Sequence, residues 1–334
     1  MNILVTIPKG VVRDSFLYPE TIEKMYSMGS VTFNEKEGNY TTDELAEAIK
    51  GIDVVIIGWG TPRIDETVMA NADSLKVIAH VAGSVSPYVS EAVYKNGVKV
   101  ISGNEMFAES VAEGVIAYML AALRRIPYYA SELKNKRWQT TKDGKHINEG
   151  LLDRTVGIVS YGAISKYLIP MLQPFRVKIK IYSRSIDEEL LKKYNMELVS
   201  LEEIFKTCDI ITLQTALNPH TINMINAELL SMIKPGALFV NTARGKVVDE
   251  QALIRELRTG RFHAILDVYH REPLEINSGL FDLDNVILMP HQGGPTLDRR
   301  RYIGAWIVDN VEGFFNGKEL EHQISWEKAQ AMTM

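Results

Sequence analysis

Short unbroken runs of Val, Ile, Leu and Ala punctuate this chain from end to end, and segments of helical spacing separate them. The runs are Ile3–Ile7, Val54–Gly58, Leu75–Val81 and Val98–Ile101, with a weaker one at Val31–Phe33. A second series comprises Val156–Val159, Lys178–Tyr182, Ile210–Leu213, Ala237–Asn241, Ala264–Asp267 and Val286–Met289. A strand with one face in water alternates apolar and polar residues. The continuous Val/Ile runs do not, so they predict strands buried on both faces. Helical spacing falls at Tyr18–Met28, Asp43–Ile49, Asp65–Ala72, Val89–Asn96, from Gly162, and at Glu188–Tyr194, Ala227–Ile233, Glu250–Thr259 and Thr296–Phe315. Strand–helix alternation requires parallel sheets with right-handed crossovers. A longer Ala/Met/Leu-rich helix, Phe107–Arg125, is expected to end at Pro127. A polar stretch with Trp138, Asn135–Gly150, is expected to form an extended arm. A chain of 334 residues is long enough for two compact units, so the expectation is two doubly wound parallel-sheet α/β domains with a cleft between them. The last helix is a candidate to return to the first domain.

Charge narrows the function. A net charge of −5 gives no basic footprint for nucleic acid or an anionic membrane. No stretch is expected to span a membrane. The opening MNILVTIPKG lacks a basic start and is broken by Pro8, which reads as a strand and not a signal peptide. The single cysteine, Cys208, allows no intrachain disulfide and fits a reducing, cytoplasmic setting. Its apolar neighbours predict a buried structural thiol. No His/Cys/Asp spacing suggests a metal site.

The segment VGIVSYGAISK, Val156–Lys166, follows a predicted buried strand and opens a helix, the context of a dinucleotide-binding turn. At the three glycine positions of G-x-G-x-x-G it has Ser160, Gly162 and Ser165. Only the middle glycine, which lets the backbone approach a pyrophosphate, is kept. The expected cofactor contacts are Tyr161, Gly162, Ala163 and Ile164. The next strand ends in IYSRS. An acidic residue there would accept from a ribose 2′-hydroxyl. Ser183, Arg184 and Ser185 suit a 2′-phosphate better, so the expected cofactor is NADP or NAD, with NADP favoured.

Three segments fall at the C-terminal ends of predicted strands, where open α/β sheets bind ligands. FVNTARGKVVD places Arg244, AILDVYHREPL places Asp267 and Glu272, and VILMPHQGGPT places His291. A guanidinium grips a carboxylate and an adjacent carbonyl through its fork of donors. Hydride addition to that carbonyl creates an alkoxide that needs a proton, and histidine titrates nearest neutrality. A carboxylate bonded to the histidine sets its tautomer. His270 is a rival acid two residues before Glu272. His80 is a candidate for touching substrate from a strand end, with a structural role the plainer reading. His146, His220, His263 and His322 read as surface or packing residues.

The blocks NTARG, DVYHREP and PHQGG resemble the signature of the D-isomer-specific 2-hydroxyacid dehydrogenases, with likeness over nearly the whole chain. The resemblance implies that Arg244 binds substrate, Glu272 orients His291, and His291 is the acid/base. It also implies that Asp267 contacts the nicotinamide carboxamide, while Thr242 and Gly293 line the nicotinamide side. The implied fold is a Rossmann-type cofactor domain, 104–294, and a flavodoxin-like substrate domain, 1–103 plus 295–334. The segment 105–150, with SVAEGVIAYMLAALRR, is the implied homodimer helix and arm; Tyr128, Tyr129 and Trp138, which flank it, are read as interface residues, with ordinary core packing the alternative. Gly83 and Ser84, in the loop Ala82–Pro87, are the implied substrate-carboxylate binders. Val85, Pro87 and Gln214 depart from the family pattern. The expected reaction is reversible reduction of a small 2-oxo acid to the D-2-hydroxy acid. The alternatives are a non-catalytic NAD(H)-sensing protein on the same scaffold, like the C-terminal-binding-protein corepressors, and a degenerate relative that no longer binds cofactor. The sequence after the last helix leaves no room for a C-terminal regulatory domain, so feedback by serine is not expected.

Overall fold

The computed structural model describes residues 1–138 and 148–333; His146 lies outside them. The chain separates into two units, Met1–Ser110 with Pro295–Met334, and Val111–Gly294. In the first, β1 (Asn2–Val5), β2 (Ser30–Phe33), β3 (Val54–Ile57), β4 (Val77–His80) and β5 (Lys99–Ser102) form a parallel sheet of order β2-β1-β3-β4-β5. All residues of β3 and β4 are buried, because apolar layers cover both faces. On one face Leu4, Val55, Ile57, Ile78 and Val100 meet Leu45, Ile49, Val68 and Val93. On the other, Ile3, Val5, Val54, Ile56, Val77 and Ala79 meet Phe16 and Met25. They also meet Ile303, Ile307, Val308 and Val311 of the helix Leu297–Phe315. The final segment, through Ile324 and Ala329, packs into the first of these layers.

The second unit carries β6 (Thr155–Val159), β7 (Lys178–Tyr182), β8 (Met196–Leu198), β9 (Ile210–Leu213), β10 (Leu238–Asn241), β11 (His263–Leu266) and β12 (Val286–Leu288). Its parallel order is β12-β11-β10-β9-β6-β7-β8. β6 pairs with β7 on one side and β9 on the other, so the order reverses there, the crevice in which doubly wound sheets bind dinucleotides. Val159, Ile211, Leu213, Phe239 and Leu266 pack against Ile204, Phe205, Leu230, Leu253 and Leu257 from the covering helices. Those helices start at side-chain caps: Ser200, Asn226 and Asp249 accept from the N–H groups of Glu203, Leu229 and Ala252, each contributing about 1 kcal/mol. The ends of the unit meet, since a Cβ on Gly114 would lie 3.3 Å from the Gly293 carbonyl oxygen.

Several elements differ from expectation. The long helix runs Asn104–Leu123, and Pro127 does not end it. Arg125 breaks the helix in a left-handed conformation (φ 51°), and Pro127 lies in the first turn of a second helix, Ile126–Lys134. Proline there loses no helical hydrogen bond. Of the expected arm, residues 139–147 lie outside the described set. Strand β8 and the helices Val11–Phe16, Leu201–Thr207 and Trp326–Ala331 were not expected from the sequence. The expectation that no stretch approaches a membrane span is corrected: Asn104–Leu123 is long and apolar enough by length and composition. Here Val111, Ala112, Val115, Met119 and Leu123 are buried in the fold. Cys208 is fully buried, its thiol pushed up to about 11 by burial, and so is no nucleophile near neutrality.

Candidate active site

The C-terminal edge of the second sheet gathers the charged residues. β10 ends at Asn241, whose side chain ties the following turn. Its Oδ1 accepts from the Ala243 N–H (3.1 Å), and its Nδ2 donates to the Arg244 carbonyl (3.2 Å). Arg244, half-buried, donates from its guanidinium to the Ala243 carbonyl at 2.7 Å. Only glycine fits next, because a Cβ on Gly245 would lie 1.9 Å from the Tyr269 carbonyl carbon. That close approach sets the Arg244 turn against the loop after β11.

The β11 loop is tied in turn. The Tyr269 hydroxyl lies 3.0 Å from the Leu266 carbonyl and 2.9 Å from that of Met289, linking the ends of β11 and β12. The Tyr269 N–H donates to Glu272 Oε1 at 3.0 Å, and Glu272 Oε2 lies 2.6 Å from His291 Nδ1. A carboxylate only accepts, so Nδ1 carries the hydrogen and Nε2 is the ring nitrogen left for other chemistry. His291 itself has φ 55°, a left-handed conformation that a side chain adopts only where its surroundings enforce it. Asp267 supplies that enforcement. Its Oδ1 accepts from the Gln292 N–H at 2.7 Å and from the Tyr118 hydroxyl at 3.1 Å. Its Oδ2 accepts from the Gly293 N–H at 2.7 Å. A Cβ on Gly293 would come within 2.7 Å of that same Oδ2.

The dinucleotide turn follows β6. Ser160 takes φ 85°, the conformation a glycine would occupy, and its N–H donates to the Tyr182 carbonyl. Ser165 is fully buried and its hydroxyl donates back to the Ser160 carbonyl at 2.8 Å. The two serines thus replace glycines by a strained backbone and a compensating hydrogen bond. Gly162 stands at the start of the helix Ala163–Leu172, with no side chain capping it and nothing within 4 Å of where a Cβ would be. This opening exposes the unpaired N–H groups that a helix start offers an anion. Replacing Ser160 with glycine should raise the unfolding free energy by about 1 kcal/mol by removing the left-handed Cβ penalty. Urea denaturation measures it, and an unchanged or lower midpoint would show the turn to be unstrained.

Thr242, at the end of β10, has a buried Oγ1 with no hydrogen-bond partner, and Gln214, at the end of β9, has a buried Oε1 in the same state. Buried polar atoms are normally satisfied, so two orphans at the ligand edge of this sheet fit a bound polar group. A cofactor of nicotinamide type suits this set of residues. Ser183, Arg184 and Ser185 follow β7. Ser183 Oγ accepts from the Ser185 N–H (3.2 Å), and Arg184 is exposed.

Other candidates fall elsewhere. His270 Nε2 lies 2.6 Å from the Val248 carbonyl, which occupies the rival acid. His80 is buried, with Nδ1 on the Ile57 carbonyl at 3.2 Å and its ring 4.8 Å from that of Tyr88. Burial lowers its pKa to about 4, so its role is structural. Gly83 and Ser84 belong to the first unit, where the Ser84 hydroxyl donates to the Thr333 carbonyl. A cavity of about 380 Å³ between the helix Glu250–Leu257 and the segment 270–279 includes His270 but none of Arg244, Glu272 and His291, so it does not mark the chemistry. Sequence reading missed Tyr118, Asn241 and Tyr269; the last two lie inside the recognised blocks, while Tyr118 carried no signal of its own.

A sheet reversing at β6, with an arginine and a Glu–His pair at the ligand edge of the same sheet, defines a nicotinamide-dependent oxidoreductase. The comparisons agree. Residues 116–293 match the model of the D-isomer specific 2-hydroxyacid dehydrogenase NAD-binding domain. Glyoxylate reductase of Pyrococcus furiosus is 32% identical over 85% of this chain and 85% of its own length. D-3-phosphoglycerate dehydrogenase of Methanocaldococcus jannaschii is 32% identical over 97% of this chain, which spans 59% of that protein's length. A crystal structure of a Thermus thermophilus protein superposes with a TM-score of 0.82 at 28% identity, covering 97% of this chain and 100% of that one. The chain belongs to the D-isomer-specific 2-hydroxyacid dehydrogenase family, NAD(P)-dependent oxidoreductases that interconvert 2-oxo acids and D-2-hydroxy acids.

Proposed function

We propose that the substrate is a small 2-oxo acid of the glyoxylate, hydroxypyruvate or pyruvate class, with Arg244, Glu272 and His291 as the catalytic set. The observation that carries this reading is the 2.6 Å contact from Glu272 to His291 Nδ1, which turns Nε2 into the working proton donor. Arg244 grips the substrate carboxylate and carbonyl oxygen. Bound NAD(P)H supplies the hydride to the carbonyl carbon. As charge builds on the carbonyl oxygen, His291 Nε2 delivers its proton, and Glu272 stabilises the imidazolium that precedes this transfer. Gly83 and the Ser84 N–H hold the substrate carboxylate; the Ser84 hydroxyl is already taken by Thr333. Tyr161, Gly162, Ala163 and Ile164 would hold the cofactor pyrophosphate, with Thr242, Asp267 and Gly293 at the nicotinamide end. The substrate unit is the first, Met1–Ser110 with Pro295–Met334, and the cofactor unit the second, Val111–Gly294, a boundary seven residues later than the expected 103/104. The protein works in the cytoplasm, away from nucleic acid and membrane, as a homodimer. Exposed Ile126, Leu133 and Trp138 supply apolar area for that contact.

Cofactor choice follows from Arg184, an exposed guanidinium beside Ser183, where no carboxylate repels a 2′-phosphate. One charge-assisted contact is worth roughly 1.5–3 kcal/mol, so NADPH should bind at least about tenfold tighter than NADH. Titration with both, followed by a panel of 2-oxo acids, tests the whole reading. Ser183→Asp should reverse the preference. NADH binding tighter than NADPH in the unaltered protein would make Arg184 a surface charge. Binding with no turnover would favour the sensing alternative, which none of the relatives above supports.

A further inference from the structure

The helix Asn104–Leu123 brings one polar group to the catalytic edge. Tyr118 places its hydroxyl 3.1 Å from Asp267 Oδ1, and its Cε2 would lie 3.4 Å from a Cβ on Gly293. The loop that carries His291 is therefore held between this ring and the Asp267 carboxylate. Asp267 is 2% exposed and accepts three hydrogen bonds: two at Oδ1, from Tyr118 and Gln292, and one at Oδ2, from Gly293. A carboxylate oxygen offers two lone pairs. Oδ1 is thus filled, and Oδ2 keeps one acceptor position. Without the phenol, Oδ1 would regain a free position, and the carboxylate could turn about its Cβ–Cγ bond to present either oxygen.

We propose that Tyr118 is a positioning residue for hydride transfer: its hydroxyl fixes the Asp267 carboxylate so that the remaining Oδ2 lone pair receives the carboxamide of the nicotinamide ring. The proposal rests on the reading of Asp267 as the nicotinamide contact. Burial and the Asp267 charge push the Tyr118 phenol up from its ordinary value, so it stays a donor throughout the working pH range. The same group joins the His291 loop to the nicotinamide contact, so acid and hydride donor share one anchor.

The test is Tyr118→Phe, which keeps the ring against Gly293 and removes only the donor. Calorimetric titration compares NADH with ADP-ribose, which lacks the nicotinamide ring, or their 2′-phosphorylated counterparts. The cost of fixing the freed Asp267 carboxylate again on binding should weaken dinucleotide affinity up to about tenfold. ADP-ribose binding and the KM for the 2-oxo acid at saturating cofactor should stay nearly unchanged. Equal weakening of both ligands would assign Tyr118 to fold support and overturn the proposal; so would no change in either. Asp267→Asn separates this from the reading beneath it. Selective loss of dinucleotide binding in Asp267→Asn, with none in Tyr118→Phe, would uphold Asp267 and reject Tyr118. Equal loss of both ligands in Asp267→Asn would reject both.

Discussion

His291→Ala should lower turnover on a 2-oxo acid by about 10²–10⁴-fold, the usual contribution of a positioned general acid, while NAD(P)H binding stays nearly intact. The side chain makes one hydrogen bond, to Glu272, and it is about half exposed, so its removal leaves no cavity in a core. The loop is held instead by backbone N–H groups on Asp267, which alanine retains. Single-turnover kinetics with pre-bound cofactor separate the chemical step from binding. Near-normal turnover would remove His291 as the acid. His270 would then be the next choice, despite the 2.6 Å contact of its Nε2 with the Val248 carbonyl.

Arg244→Lys should reduce kcat/KM by about 100-fold or more. Lysine keeps the charge but presents a point donor where the substrate needs two parallel ones. Loss of one or two charge-assisted bonds at roughly 1.5–3 kcal/mol each gives that scale. The turn itself should persist, because Asn241 ties it through backbone atoms that the substitution does not touch. A pyruvate or glyoxylate saturation curve on the variant measures the loss. Unaltered constants would place the carboxylate elsewhere, with the Gly83–Ser84 loop as the remaining holder.

The central strands of the parallel sheets were legible because they are buried on both faces and so appear as unbroken apolar runs; β3 and β9 are buried at every residue. β8 was not, since two of its three residues are exposed at the edge of the sheet. Pro127 misled for a physical reason: proline stops one helix and starts another equally well, and only the left-handed Arg125 decides between them. Arg244, Glu272 and His291 could be proposed as a site because each follows a strand end in a block of fixed spacing. The residues that hold them could not all be. Tyr118 sits in an apolar helix far away in sequence, and its pairing with Asp267 exists only once the chain is folded. Val85, odd for a substrate loop, is fully buried and answers to the core beneath it.

The interruption of the first unit by the second bears on the order of events during synthesis. Val111–Gly294 emerges complete before Leu297–Phe315 does. Until then Ile3, Val5, Val54, Ile56, Val77 and Ala79 lack the cover of Ile303, Ile307, Val308 and Val311. A nascent chain therefore carries a sheet face covered only in part, by Phe16 and Met25, through most of its translation, and prematurely stopped products leave the rest exposed, the condition that invites aggregation and chaperone capture. The inserted unit shortens the danger. Its two ends meet at Gly114 and Gly293, so its own folding shortens the loop between the early strands and the late helix and leaves less chain entropy to lose.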